Sequence, residues 1–160
     1  MRVYVASALG FAVPTRGFSA EVLLPRLRTG GIEPLDPWAG GEAIVTALAV
    51  VDQSARIEAL RQANEAVAAR NVELIESADA LLAVLDGPDV DSGTASEIGY
   101  AAALGIPVVG WRSDLRSAGD NEGSVVNLQV EHFVRRAGGA VVTTLEAAVA
   151  ALVALPMRRA

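Results

Sequence analysis

Residues 80–85 are apolar at every position and are followed by a polar, glycine-containing turn. A strand without polar alternation must be covered on both faces, which is typical of a parallel sheet between two layers of helices. Further short apolar segments alternate with helical patterns, at residues 3–6, 32–35, 108–111 and 140–143. Because right-handed crossovers connect parallel strands, the sequence predicts an α/β fold: a doubly wound (Rossmann/flavodoxin-like) five-stranded parallel sheet flanked by helices.

The helices are predicted from apolar periodicity, capping residues, and glycine or proline stops. The first is expected to begin at a Ser19 cap and to end at Thr29, with Pro25 either kinking or shortening it, after a loop over residues 7–17. The others are expected at residues 42–51, 54–77, 94–104, 124–136 and 145–155.

Composition narrows the function classes. The 160 residues carry a formal net charge of −6, whereas a nucleic-acid groove needs a basic face. There is no cysteine and a single histidine, so neither a thiolate site nor a histidine-rich metal site is expected. Without a signal-peptide pattern or a span-length apolar segment, a cytoplasmic protein with no membrane partner is expected. No linker or repeat divides the chain, which predicts one domain over residues 1–160.

The strongest functional signal is the acidic turn that follows the strand at 80–85. Asp86, Asp89 and Asp91 lie in this turn, and Glu97 follows in a predicted helix. Ligands bind beyond the carboxyl ends of strands in open α/β sheets. Clustered carboxylates repel one another unless a ligand, a metal or hydrogen-bond donors meet them, so a magnesium site is one alternative. The turn favours a polyhydroxylated or electron-poor ligand over a bare polyphosphate.

Glu97 has two interpretations. It fits a capping box with Thr94, in which the glutamate would accept a hydrogen bond from the Thr94 backbone N–H. It also fits a nucleophile that is aimed at the strand-end cleft and kept ionised by the helix dipole. Tyr4, near the end of the first strand, fits core packing, but its buried hydroxyl would need a partner such as a nearby carboxylate.

Other candidates have structural interpretations of equal weight. Asn64 and Asn71 fall on the apolar stripe of the long predicted helix, where an amide needs partners. Residues 7–11 follow the first strand as a nucleotide loop would, but they lack the glycine fingerprint and the phosphate-loop lysine. Asn127 fits helix-surface polarity, and His132 is given no catalytic role.

Taken together, these segments resemble the nucleoside 2-deoxyribosyltransferase family. The resemblance rests on Tyr4-Val5-Ala6-Ser7, residues 77–87, Asp91-Ser92-Gly93-Thr94-Ala95-Ser96-Glu97 with residues 98–101, residues 105–109, and Val126-Asn127-Leu128. It does not extend to residues 37–68. It implies exchange of a 2-deoxyribosyl group between a nucleoside and a free nucleobase, with no cofactor and no metal.

The resemblance also implies roles for individual residues. Glu97 would be the nucleophile that forms a covalent glycosyl intermediate with net retention, Asp91 would contact the sugar and the base, and Tyr4 would orient Glu97. The expected substrate-binding residues are Ser7, Gly10, Phe11, Asn71, Asp86, Gly93 and Asn127. In the family, the asparagine matched by Asn127 reaches a neighbouring subunit's site, which implies a homo-oligomer.

Asn71 departs from the family pattern. It stands where many members have an aspartate that helps to protonate the leaving base, and an amide is a poor general acid. Asp91 would repel a 5-phosphate, so nucleosides are expected over nucleotides. Two alternatives stay open: an N-glycoside hydrolase of (deoxy)nucleosides or nucleotides, and a non-catalytic nucleoside-binding module, since fold alone does not fix function. The polar loop at residues 112–123 is expected either to close over the site, with Asp114, Arg116 or Asp120 on the substrate, or to be solvated surface.

Overall fold

A computed structural model describes residues 1–156, so the last positions of the predicted domain, 157–160, lie outside the described residues. The strands are Arg2–Ala6 (β1), Glu33–Leu35 (β2), Ala80–Val84 (β3), Val108–Trp111 (β4) and Val141–Val142 (β5). The α-helices are Val13–Phe18 (α1), Leu24–Thr29 (α2), Glu42–Leu48 (α3), Gln53–Glu76 (α4), Ser92–Ala103 (α5), Leu128–Arg136 (α6) and Leu145–Ala154 (α7). A π-helical turn, Ser19–Leu23, joins α1 to α2, and a 3₁₀ turn, Pro37–Gly40, precedes α3. Across residues 1–156, no helix is long and apolar enough to cross a membrane.

The five strands are all parallel, in the order β2-β1-β3-β4-β5. This order confirms the predicted doubly wound five-stranded sheet. The direction of winding reverses between β1 and β3, because β2 lies on one side of β1 and the later strands lie on the other. In such sheets, the crevice at the carboxyl ends of these two strands is the usual ligand site. The residues that follow β1 and β3 are therefore the first place to look for function.

Both faces of the sheet are buried, as the uninterrupted apolar strands predicted. In β1, Tyr4 and Ala6 belong to the core under α4, α5 and α6, whereas Val3 and Val5 belong to the core under α2 and α7. Side chains alternate between the two faces of a strand, so the pleat of β1 determines which layer each residue meets. A shift of one residue in register would move Tyr4 to the opposite layer.

The first helical segment differs from the prediction. Helix α1 begins at Val13, inside the predicted loop at 7–17, and Ser19 is not an N-cap, because it is the C-cap of α1 and the first residue of the π-helical turn. Helix α1 buries no residue and therefore has no apolar stripe, so apolar periodicity could not predict it. Pro25 lies in the first turn of α2, where its missing N–H costs least. The π-helical turn comes directly before α2, so the helix that contains Pro25 is shortened.

Helix α6 also begins later than predicted, at Leu128 rather than Ser124. The reason is the side chain of Asn127, whose Oδ1 accepts hydrogen bonds from the backbone N–H groups of Gln129 and Val130, at 3.0 and 3.4 Å. An asparagine in this position satisfies N–H groups that have no partner within the helix. Asn127 is thus the N-cap of α6 rather than a residue on its surface.

The two-layer core predicts that truncating a buried side chain of β3 lowers the free energy of unfolding strongly. Leu82 is fully buried, and Leu82→Ala should lower the free energy of unfolding by about 3 kcal/mol, measured by urea denaturation, because it leaves a cavity between sheet and helices. Val153→Ala in α7 is the control, since Val153 is 59% exposed and its truncation should change stability by less than about 0.5 kcal/mol. Equal effects of the two substitutions would contradict the layered core described above.

Candidate active site

A cavity of about 490 Å³ opens at the crevice between the carboxyl ends of β1 and β3. One part of its lining is polar and comes from Ser7, Asn64, Asn71, Asp91, Thr94 and Glu97, with Gly93 between them. The other part is apolar and comes from Phe11, Pro37, Trp38, Ile44 and Val67. A cavity of this size with convergent polar groups is typical of small-molecule sites.

A hydrogen bond between the sheet and α5 lies at the polar end of this cavity. The Tyr4 hydroxyl donates to Glu97 Oε1 at 2.6 Å. Tyr4 is fully buried in β1, so its ring cannot move without disturbing the core. The bond therefore fixes one carboxylate oxygen of Glu97, and it provides the partner that the buried phenol requires.

Asp91 is the N-cap of α5, and this excludes the capping-box interpretation of Glu97. Asp91 Oδ2 accepts hydrogen bonds from the backbone N–H and the hydroxyl of Thr94, at 3.0 and 3.3 Å. The N–H that a capping box would offer to Glu97 is therefore already taken. The helix begins at Ser92 rather than Thr94, which puts Glu97 in its second turn.

Burial dominates the electrostatics of the pair. It raises the pKa of Glu97, the hydrogen bond from Tyr4 lowers that pKa in part, and the charge of Asp91 raises it again, so the net shift is upward. Burial and the carboxylate beside it also raise the pKa of Tyr4, which stays a protonated donor. The helix dipole acts mainly within the first turn, so it gives little help to the Glu97 anion in the second turn. The Glu97 anion is held at an energetic cost.

Two buried polar atoms beside Glu97 have no partner in the described part of the chain. They are Ser7 Oγ and Asn71 Oδ1, and both residues line the cavity. A buried polar atom without a hydrogen bond costs about 1–3 kcal/mol, so such atoms are rare in cores and common where a ligand binds. A ligand that offers an N–H to Asn71 and a polar group to Ser7 would remove this cost.

The structure brings most of the predicted site residues together. Those at the cavity, directly or through Glu97, are Tyr4, Ser7, Phe11, Asn71, Asp91, Gly93 and Glu97. Gly10 instead lines an adjoining cavity. Asn127 lies outside the cavity lining, where its Nδ2 donates to Asp120 Oδ1 at 3.4 Å and its Oδ1 caps α6.

Asp86 is also outside this lining, because it fastens the loop at 112–123. Its carboxylate accepts hydrogen bonds from the backbone N–H and hydroxyl of Ser113, both at 2.6 Å, and from the N–H of Asp114 at 2.9 Å. Arg116 pairs with Asp114 rather than with a ligand. Hydrogen-bond donors therefore relieve the repulsion expected in the acidic turn. Within residues 1–156, no group of three or more acidic or histidine side chains is arranged to hold a metal.

Sequence reasoning missed one wall of the cavity. Trp38, Ile44 and Val67 belong to residues 37–68, which the family resemblance did not reach, and Asn64 had been noted only for its inward position. The one usable signal was Trp38, which lies between Asp-Pro and Ala-Gly-Gly in the sequence. A large aromatic side chain in a short polar loop usually packs at least in part against the rest of the protein.

Comparison with known proteins identifies the family of the chain. The family model of nucleoside 2-deoxyribosyltransferase matches residues 3–129, which is most of the chain, so the chain belongs to this family. A conserved protein from Enterococcus faecalis V583 is 27% identical, with a TM-score of 0.71 over 95% of this chain and 96% of that one.

Two further solved structures share the fold. The 2-deoxyribosyltransferase from Bacillus psychrosaccharolyticus is 22% identical, with a TM-score of 0.60 over 92% of this chain and 89% of that one. The 2-deoxyribosyltransferase from Leishmania mexicana is 23% identical, with a TM-score of 0.63 over 93% and 94%. No curated protein matches the chain.

The raised pKa of Glu97 predicts a stability effect with a definite sign. Between its unfolded and folded pKa values, the unfolded chain loses its proton first, so stability falls as the pH rises through that window. Glu97→Gln has no such proton and keeps an oxygen for Tyr4. It should melt above the parent near neutral pH, where the parent holds a buried anion, and at the same temperature as the parent at acid pH.

Glu76→Gln is the matched control in thermal unfolding. Glu76 accepts a hydrogen bond from Tyr100 at 2.6 Å, as Glu97 does from Tyr4, but at an exposed position away from the cavity. It should show no such gain. Equal melting temperatures of Glu97→Gln and the parent at neutral pH would mean that Glu97 carries no burial cost.

Proposed function

We propose that this member of the nucleoside 2-deoxyribosyltransferase family transfers a 2-deoxyribosyl group from one nucleobase to another through Glu97. The observation that carries the proposal is the Glu97 carboxylate, fixed by Tyr4 at 2.6 Å beside a cavity of ligand size. Family membership supports the substrate class, and the unpaired atoms of Ser7 and Asn71 support a ligand at this place.

In the first step, the carboxylate oxygen of Glu97 that Tyr4 does not hold attacks the anomeric carbon. The bond between that carbon and the base nitrogen breaks, its electron pair leaves with the base, and the base takes up a proton. In the second step, a nitrogen of another base attacks the same carbon, the bond to Glu97 breaks, and the incoming base loses a proton. Two inversions give net retention, as in retaining glycosidases.

The surroundings of Glu97 suit both steps. The transition states carry positive charge on the sugar, which the carboxylate of Glu97 stabilises. Burial makes the Glu97 anion poorly solvated and therefore a better nucleophile. The apolar wall limits access of water to the covalent intermediate, which favours capture by a base over hydrolysis.

Protonation of the leaving base falls to Asp91 in this account. The Asn71 amide accepts or donates a hydrogen bond but is a poor general acid. Asp91 uses Oδ2 to cap α5, and within residues 1–156 its Oδ1 has no hydrogen-bond partner, so that oxygen is available to the substrate. The charge of Asp91 raises the pKa of Glu97, which indicates that the two carboxylates lie close enough to act on one substrate.

The cavity favours nucleosides over nucleotides. Among residues 1–156, its lining includes the carboxylates of Asp91 and Glu97 and no arginine or lysine. A 5-phosphate would therefore meet like charge without a compensating cation.

We further propose a homo-oligomer in which Asn127 approaches a neighbouring subunit's site. Val125 and Leu128 flank Asn127 and are 48% and 54% exposed, and an apolar surface of this kind favours a protein partner. The cap on α6 would hold the Asn127 side chain in a fixed direction for that contact.

The direct test is base exchange between a 2-deoxynucleoside and a different free base, followed by chromatography. Glu97→Gln should lower the exchange rate by at least about 10³-fold, because the nucleophile is lost. Tyr4→Phe should lower it by about 10²-fold, because the carboxylate loses its fixed direction. The controls Glu76→Gln and Tyr100→Phe break the similar pair outside the cavity and should keep the parental rate.

The products separate the alternatives. Exchange by folded Glu97→Gln at the parental rate would refute the proposed role. Free base and free deoxyribose, formed at a rate that an acceptor base does not change, would identify a hydrolase. Thermal stabilisation by a nucleoside without any turnover would identify a binding module.

The charge of Asp91 gives a second prediction. Asp91→Ser keeps a side-chain oxygen that caps α5 but removes the negative charge. The ratio of rates with a deoxynucleoside 5-monophosphate and with the deoxynucleoside should rise about tenfold, in the same chromatographic assay, because less repulsion opposes the phosphate. Asp89→Ser, in the same turn but outside the cavity lining, is the control, and an equal change in both variants would contradict the argument.

A further inference from the structure

Trp38 separates the candidate active site from a second cavity. This second cavity has a volume of about 500 Å³ and shares Trp38 and Ile44 with the first. Beyond this partition, its wall is largely apolar, with Leu24, Val45 and Leu48 among its residues. Two spaces of nearly equal size thus lie side by side, and the indole of Trp38 is the largest group between them.

Three hydrogen bonds hold the segment that carries Trp38. The indole Nε1 donates to the Ser7 carbonyl at 3.2 Å, and the Trp38 backbone N–H donates to Asp36 Oδ1 at 3.0 Å. From α4, Arg70 Nη1 donates to the Pro37 carbonyl at 3.1 Å. These bonds join the loop after β1, the loop after β2 and helix α4. They therefore hold the Trp38 indole in a fixed position between the two cavities.

Packing fixes the indole as closely as the hydrogen bonds do. A Cβ atom on Gly10 would lie 2.0 Å from the ring of Trp38, so the indole lies directly on this glycine backbone. Phe11 packs edge-on against the same ring, with centroids 4.6 Å apart and an interplanar angle of 86°. Arg16 Nε donates to the Gly10 carbonyl at 2.6 Å and keeps this backbone in place. Gly10, expected to bind substrate, therefore positions Trp38.

The polar and apolar parts of the first cavity suit different parts of a nucleoside. The anomeric carbon must lie at Glu97, and the polar groups around it suit the sugar hydroxyls. The planar, aromatic base then extends toward the part of the cavity that Phe11 and Trp38 form, where aromatic surfaces favour stacking and edge contacts.

We propose that Trp38 sets the size of base that the site accepts, and that the second cavity is the space a larger base would enter if the indole were removed. This inference rests on the proposed function, because it takes the ligand to be a nucleobase joined to a sugar at Glu97. With the indole in place, a bulky substituent on the base meets a fixed wall. With a small residue there, the two cavities join.

The test compares adenine with N6-benzyladenine as acceptors in base exchange, and as ligands in isothermal titration calorimetry. Trp38→Ala should raise the ratio of the benzyladenine rate to the adenine rate, and the corresponding ratio of affinities, by at least about tenfold. Trp38→Phe keeps an aromatic ring and should raise the ratio less. Leu48→Ala enlarges only the second cavity, leaves the partition intact and should keep the parental ratio.

The outcomes keep the two proposals apart. Binding of adenine by the parent without exchange would refute the proposed transfer, and the affinity ratios would still test the wall. A parental ratio in Trp38→Ala would refute the role of Trp38, whether or not the parent exchanges bases. If thermal unfolding finds Trp38→Ala unfolded, Trp38→Leu replaces it in the same comparison, and an unchanged ratio there refutes the role as well.

Discussion

The hydrogen bond from Tyr4 to Glu97 is the constraint on which the candidate site depends. It joins β1, an inner strand of the sheet, to α5, the helix that follows the neighbouring strand β3. Its donor, Tyr4, is completely buried. The pleat of β1 puts the Tyr4 side chain in the same layer as α5. The cap by Asp91 determines where α5 begins. The position of Glu97 relative to Tyr4 therefore follows from backbone geometry. A carboxylate held in this way keeps one oxygen for the donor and presents the other to the cavity.

The site carries several features that oppose stability. Burial disfavours the charge of Glu97, and the side-chain oxygens of Ser7 and Asn71 have no partner within the described residues. The two apolar layers around the sheet offset these costs, since both faces of the central strands are buried. Unsatisfied groups tend to cluster where a ligand binds. Of the three such side-chain atoms within residues 1–156, Ser7 Oγ and Asn71 Oδ1 belong to residues that line this cavity, whereas Trp111 Nε1 lies in the other core layer. The same groups that weaken the fold are those that a nucleoside would satisfy.

The sequence was informative where residues bury apolar surface in a regular pattern, and much less so elsewhere. The strands and the segment from Asp91 to Glu97 could be predicted, because β3 is apolar throughout and the acidic turn follows it directly. Helix α1 could not, because it buries nothing, and the start of α5 was misplaced because Asp91 rather than Thr94 supplies the cap. The Trp38 wall depends on a contact across the fold with Gly10, and no local pattern encodes such a contact.

The most direct test of the account is the mass of the intact protein after incubation with a 2-deoxy-2-fluoroarabinosyl nucleoside. Fluorine slows release of the sugar from the enzyme, because it destabilises the positive charge that develops on the ring. If Glu97 is the nucleophile, the mass should increase by one fluorinated glycosyl group, located by peptide mapping at Glu97 and absent in Glu97→Gln. An adduct at another residue, or release of the base without any adduct, would contradict the claim that Glu97 is the nucleophile.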